Sequence, residues 1–328
     1  MQEIPRITLP SGEKRIKRIA FLAETRNRAL LPLATSNITF DRLLFVNDVM
    51  FDPVEAAQLL FSTNVDANGR ASYGAACAVD FINPFKFYDR FATRDLDGYS
   101  MGIPFYPWFT DSGSRTSRQD VLAGKDAVRV RSCWGGMTAF EAKWFQPTPP
   151  EHQKQKPAST NSTETSPAPL RFRFEDELYW DSSECCLIHA DLQYRRTGQG
   201  MPEDAGIYMN PFIRVAYDER TLSWLALTRR PERLYALIHN ILNHMVGFPF
   251  YNPRRTEEPG ETFIDREWDS DDFLRGSSAN LSSYHEVHRT AKPGGFCGGR
   301  KLLLLNEHPG KGESKWANVP VPPPPPPA

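Results

Sequence analysis

Six short clusters of chemically capable side chains follow one another along the chain: Arg26-Asn27, Asn47-Asp48, Asp80, Trp134-Gly135-Gly136, Glu184 and His189. Asn47-Asp48 closes the apolar run Leu43-Leu44-Phe45-Val46, and Asp80 closes a second small apolar run. In open α/β sheets, ligands bind outside the carboxyl ends of strands. A carboxylate there can hold a hard divalent cation, and the cation can bridge a diphosphate. Asp48 is therefore the candidate metal ligand, with Asn47 a neutral or water-mediated companion; the plainer alternative is an Asp that merely ends its strand in a turn. Arg26 and Asn27 lie on a helix that precedes the strand and can reach the same spot. Asp80 is a second acid near that spot or, equally well, a turn cap. The indole of Trp134 offers a flat apolar face for a sugar ring, and Gly135-Gly136 permit close backbone approach. The plainer alternative is a Trp packed under a tight turn. Glu184 opens a helix, where the dipole favours an acid. His189 follows five residues later and could face metal or diphosphate, although a lone His more often has a structural role.

The elements that must position these groups alternate. Ile16, Ala20, Ala23, Asn27 and Leu30 share one face of a helix spanning Lys14 to Leu33, with Asn27 the polar member of an apolar stripe. A strand over Arg42 to Val49 follows. Asp52 can cap the next helix, Pro53 takes its first position and Glu55 completes a capping box. Gly74 to Val79 and Val128 to Cys133 read as strands, Ser183 to Ala190 as a helix, and Ile207 to Ala216 as one or two short strands. Pro231 to Val246 reads as a helix with Leu234, Leu237, Ile238, Ile241, Leu242 and Met245 on its apolar face, closed by Gly247. This alternation predicts an α/β fold. Its strands ending at Asp48, Asp80 and Cys133 should lie side by side in a mostly parallel sheet with helices on both faces.

Composition narrows the function classes. The chain has 328 residues, 40% hydrophobic and 24% charged, with net charge -1. Such a balance gives ample core and no basic stripe for nucleic acid. Five cysteines are too few for a disulfide scaffold, and the odd number leaves at least one thiol free. Cys186 and His189 lack two further ligands for zinc. There is no P-loop and no Gly-x-Ser-x-Gly elbow. No stretch approaches the roughly 18 apolar residues of a membrane span. Residues 1–13 read as disordered, and so does an insertion at 146–169 rich in Pro, Ser and Thr. Inside the insertion lies the sequon Asn161-Ser162-Thr163. Residues 317–328 form a tail ending in Pro322 to Pro327, a stretch that could dock an SH3-like or profilin-like partner. One domain over residues 14–316 remains.

Five motifs occur in register: Phe45-Val46-Asn47-Asp48-Val49, Ala76-Cys77-Ala78-Val79-Asp80-Phe81, Ser132-Cys133-Trp134-Gly135-Gly136, Ser183-Glu184-Cys185-Cys186-Leu187-Ile188-His189-Ala190-Asp191 and Gly295-Phe296-Cys297-Gly298-Gly299. Together they resemble the cryptococcal capsule-associated α-1,3-mannosyltransferases, a family of fungal Golgi enzymes, from about Arg15 to Trp316. The resemblance implies a GT-A fold, GDP-mannose as donor, a divalent ion (usually manganese) and an α-mannoside acceptor joined through an α-1,3 bond. It casts Glu184 and Asp80 as the catalytic acids, Arg26, Asn27 and Asn47 near the donor, Asp48 on the metal, and Trp134, Gly135, Gly136 and His189 on substrate. One departure stands out. The tripeptide Val46-Asn47-Asp48 keeps only the second acid of an Asp-x-Asp element. The chain also starts at about the Arg-Asn helix, so the first strand of a GT-A domain and the family's membrane anchor are expected to be missing.

Two other readings compete. A degenerate homologue would act as a non-catalytic partner of a full-length enzyme. A glycoside hydrolase would use Asp48 with Asp80 or Glu184 as a carboxylate pair.

Overall fold

The computed structural model describes residues 4–147, 168–268 and 284–322. Its principal elements in chain order are α1 (Arg18–Ala29), α2 (Leu31–Thr35), β1 (Arg42–Val46), α3 (Pro53–Ser62), β2 (Ala75–Asn83), β3 (Lys86–Phe87), β4 (Arg94–Asp95), α4 (Thr116–Leu122), β5 (Val128–Ser132), β6 (Met137–Glu141), α5 (Glu184–Thr197), β7 (Ile207–Ala216), α6 (Glu219–Thr228) and α7 (Ala236–Val246). Seven strands form one sheet in the order β1-β6-β2-β7-β5-β4, with β3 also paired to β2. Only β2 and β7 run parallel, while every other pairing is antiparallel. The GT-A-like, mostly parallel sheet expected from sequence is thus corrected to a mixed, mostly antiparallel one. Nor are β1, β2 and β5 neighbours, since β6 and β7 stand between them. A continuous apolar run reports that a strand is covered on both faces. It carries no information about the direction of the strand beside it, which the connections decide.

The expected cover on both faces is present. Along β2, Cys77, Val79 and Phe81 enter one core with Ala23 of α1 and Ile188 and Leu192 of α5. Ala76 and Ala78 enter another with Ala56 and Leu59 of α3. This is the period of two that a strand imposes. Asp52 caps α3 as expected, its carboxylate accepting the Val54 N–H at 2.7 Å. Glu55 does not close the box; its Oε2 instead accepts the Arg214 N–H of β7 at 3.2 Å.

The link between β5 and β6 matters most for function. In four residues, Cys133 to Gly136, the chain passes from one side of the β2–β7 pair to the other. A Cβ on Gly135 would stand 1.9 Å from the Ala78 carbonyl oxygen, and one on Gly136 would stand 2.8 Å from Val49 Cγ1. Both glycines also have positive φ, 55° and 69°. No other residue type fits here. A disulfide, Cys77–Cys133, ties the crossing loop to β2, and a second, Cys186–Cys297, ties α5 to the Gly-rich segment. Cys185 is the free, buried thiol.

Helix α7 is turned inside out. His239 and Asn243 are buried, whereas Leu237, Ile238, Ile241 and Met245 are exposed. Polar contacts fix this orientation. Asn243 Oδ1 accepts the Ile103 N–H at 2.8 Å, and His239 Nδ1 lies 2.9 Å from Arg118 Nη1. No helix among the described residues is long and apolar enough to cross a membrane. Within the segment expected to be disordered at the start, Ile7–Thr8 pairs with Lys14–Arg15. Trp316–Asn318, partly in the expected tail, pairs with Leu303–Leu305. At the edge of the expected insertion, Gln146 is buried and exchanges hydrogen bonds with the Phe40 backbone. The sequon and the last six residues lie outside the described residues.

Candidate active site

Five of the six sequence clusters meet here: the crossing loop is one, and Arg26, Asn47-Asp48, Asp80 and Glu184 gather around it. Asn47 donates its backbone N–H to the Gly136 carbonyl at 2.9 Å, which places the exposed Asp48 side chain at the loop's edge. Among the described residues the Asp48 carboxylate has no hydrogen-bond or ion-pair partner. A hard cation held by one protein carboxylate, with diphosphate oxygens and water completing its shell, suits such a group.

Below the loop lie Arg26 and Glu184. The Arg26 guanidinium pairs with Glu184 Oε1 through Nη1 and sits 4.9 Å from the centroid of the Trp134 ring. The side chain of Glu184 is 3% exposed and that of Arg26 17%. Trp134 itself is 2% exposed and packs against Phe45, Phe140 and Phe172. The structure therefore places the indole as a platform for the guanidinium, beneath the surface a sugar would meet.

Asp80 is fully buried. Its Oδ1 accepts the Asp89 N–H at 3.0 Å and its Oδ2 accepts the Tyr217 hydroxyl at 2.7 Å. Burial pushes its pKa up to about 7, and the Asp89 charge adds to that, while the two hydrogen bonds hold it back. Its carboxylate thus anchors the loop that carries Asp89. Asp89 is half-buried and lies between the two acid groups. Its own carboxylate accepts the Ala92 N–H at 3.1 Å. Burial and the Glu184 charge raise its pKa, against the Ala92 and Gly135 N–H groups and Arg26.

The two remaining candidates lie elsewhere. Asn27 clamps one residue of a segment far along the same chain: its Nδ2 donates to the Phe172 carbonyl and its Oδ1 accepts the Phe172 N–H, both at 2.8 Å. This explains a polar side chain on an apolar helical stripe. His189 is fully buried against Phe140, with Nδ1 2.6 Å from the Cys185 carbonyl and Nε2 4.0 Å from Cys77 Sγ. Burial lowers its pKa to about 4, so the ring is neutral. His189 groups with Cys77 and Cys133 at metal-ligand spacing, but both sulfurs are committed to their disulfide.

Asp89 and Tyr217 escaped the sequence reading. Both lie just past strands, Asp89 after β3 and Tyr217 immediately after β7. Nothing in their neighbours or spacing marks them, and only the packed ends of the strands bring them to Asp80.

The fold is a mixed α/β sheet with a buried acid–arginine cluster and an exposed carboxylate beside it. The family model described as Cryptococcal mannosyltransferase 1 matches residues 1–191. The match covers more than half the chain, which belongs to that family. It includes every residue of the cluster except Tyr217. No curated protein matches the chain, and no solved structure does either.

Proposed function

We propose that the chain transfers mannose from GDP-mannose to an α-mannoside, forming an α-1,3 bond, with a divalent ion, manganese by preference, held at Asp48. The observation that carries this reading is the convergence of Arg26, Glu184, Asp80 and Asp89 with Asn47-Asp48 around one four-residue loop. Breaking the bond between sugar and diphosphate builds negative charge on the leaving oxygens. A divalent ion supplies a Lewis acid for that charge. Arg26, fixed in place by Glu184 and Trp134, presents a permanent positive charge to the same region. Asp89 is the acid of the inner cluster most open to substrate. Its raised proton affinity suits it to accept a hydrogen bond from the acceptor hydroxyl. Asp80 holds Asp89 in position through its backbone. Two disulfides fit an oxidising secretory compartment such as the Golgi.

The test is Asp48→Asn, which keeps size and removes the charge. Manganese-dependent transfer should fall at least about a hundredfold, the scale of losing a main electrostatic stabiliser, with an unchanged melting curve because Asp48 is exposed. Transfer at the parent rate would remove Asp48 from the metal. A second reading, the non-catalytic partner, draws on the single acid of the Asn47-Asp48 pair. It takes over if the parent protein transfers no mannose at any manganese concentration.

A further inference from the structure

A cavity of about 470 Å³ opens beside the acid cluster, lined by Arg90, Arg94, Arg255, Arg300 and Lys301 and by the aromatic rings of Phe250 and Tyr251. A chain of net charge -1 has no general surplus of cations, so five around one cavity is a local arrangement. Its one acid is Asp181. Asp181 is already committed inward, 3.0 Å from the buried Lys17 ammonium and accepting the Leu303 N–H at 3.2 Å.

Four of the cations, Arg90, Arg94, Arg255 and Lys301, form no ion pair with a carboxylate among the described residues. The buried Arg94 guanidinium is filled by backbone carbonyls, those of Thr93 at 2.8 Å, Phe296 at 2.9 Å, Phe91 at 3.0 Å and Cys297 at 3.1 Å among them, so it adds positive field to the cavity rather than free donors, and Arg255 donates to the Asp97 carbonyl at 2.7 Å. These acceptors are neutral; the Asp89 and Asp95 carboxylates offset part of the Arg94 charge, and Asp95 part of that on Arg255, without closing an ion pair. Arg90 stacks on Phe248 at 4.8 Å, and its buried Nε has no hydrogen-bond partner. Lys301 lies 5.3 Å from the Phe91 ring. Elsewhere the protein pairs its clustered arginines with acids, as with Arg173, Arg254 and Arg289. Concentrated cations left unpaired in a cavity are what an anionic ligand requires. The aromatic pair adds a second signal. Phe250 is 64% exposed and Tyr251 90%, and apolar ring faces beside polar donors suit a saccharide.

Segments of the candidate site run directly into the walls of the cavity. Arg90 follows Asp89 directly. Gly298 pairs with Ser182 two residues before Glu184, and Cys297 is bonded to Cys186 two residues after it.

We infer that this cavity binds an acidic group on the acceptor saccharide, a carboxylate or a phosphate ester on a sugar, so that the enzyme selects a charged acceptor chain. The word acceptor rests on the mannosyltransferase reading; the anion site does not.

Binding to the full chain can be measured without turnover, by titration calorimetry, with three probes that share one ring: methyl α-mannoside, methyl α-mannosiduronate and mannose 6-phosphate. At least one acidic probe should bind about tenfold or more tighter than the neutral one, and salt should erode the difference. Lys301→Gln and Arg255→Gln should each lower that preference several-fold. Lys301 is exposed, so its variant decides the matter if Arg255→Gln fails to fold. Equal binding of all three probes by the parent overturns the inference, and so does a preference that both variants retain. If GDP displaces the acidic probe competitively, the cavity belongs to the donor and the acceptor assignment falls. A protein that binds the acidic sugar and transfers no mannose refutes the enzyme reading and leaves this one standing.

Discussion

Replacing Asp80 with Asn should stabilise the protein above about pH 4, by an amount that grows up to pH 7. Asp80 is fully buried, and its pKa stands at about 7 against 3.8 in an exposed carboxyl, chiefly through burial. Below about pH 4 the folded and unfolded chains both hold the proton, and the residue costs nothing. Between pH 4 and 7 the unfolded chain has released a proton that the folded one keeps, so stability falls as pH rises. Above pH 7 the full cost is present. The gap between the two pKa values belongs to the coupled Asp80–Asp89 pair and corresponds to roughly 2–4 kcal/mol. Asn has the same shape. Its oxygen can accept the Asp89 N–H, and its amide can donate to Tyr217, whose hydroxyl then accepts. Melting curves of parent and Asp80→Asn at intervals from pH 4 to 8 provide the assay. Their difference removes the contribution of other groups, including Asp95, which burial also raises to about 7. The variant should match the parent near pH 4 and gain at least about 3 °C at pH 8. A variant less stable than the parent at pH 8 would show that the ionised carboxylate holds this corner together, and the account of its burial would be wrong.

Two further outcomes test the packing. Leu237→Ser and Met245→Ser, at positions 76% and 77% exposed, should shift stability by no more than about 0.5 kcal/mol in urea unfolding. Asn243→Ala, which strands the Ile103 N–H, should cost about 1–3 kcal/mol. Non-reducing peptide mapping should recover Cys77–Cys133 and Cys186–Cys297, with Cys185 alkylated only after unfolding; losing the second bond through paired Ser substitutions should cost about 2–5 kcal/mol.

Local signals in the sequence were read well where a residue acts on its own neighbours. The Asp52 cap, the Pro53 start and the strand through Cys77 follow from chain-local chemistry, and they are where the residues led. The Arg26, Glu184 and Gly135-Gly136 positions also come together, because the motif order reflects a packed sheet end. What failed depends on partners distant in sequence. Strand direction is decided by which strand slots in between, as β6 and β7 do. The stripe of α7 was legible but its direction was not, because buried hydrogen bonds from His239 and Asn243 outweigh the gain from burying leucines that face outward. Asn27 looked like a ligand contact because its partner, the Phe172 backbone, lies 145 residues away. Asp89 carries no local mark at all.

The central claim is that the acid cluster under the crossing loop does the chemistry, and Asp89→Asn tests it most directly. The change keeps the shape of the side chain and its hydrogen bond from Ala92, and leaves untouched the backbone N–H that Asp80 holds. It removes only the carboxylate charge. With melting curves recorded alongside, mannose transfer from GDP-mannose to an α-mannoside should fall at least about a hundredfold, the range of a lost acid–base group, while the midpoint at pH 7.5 stays level or rises. Transfer at the parent rate by a folded Asp89→Asn protein would contradict the account.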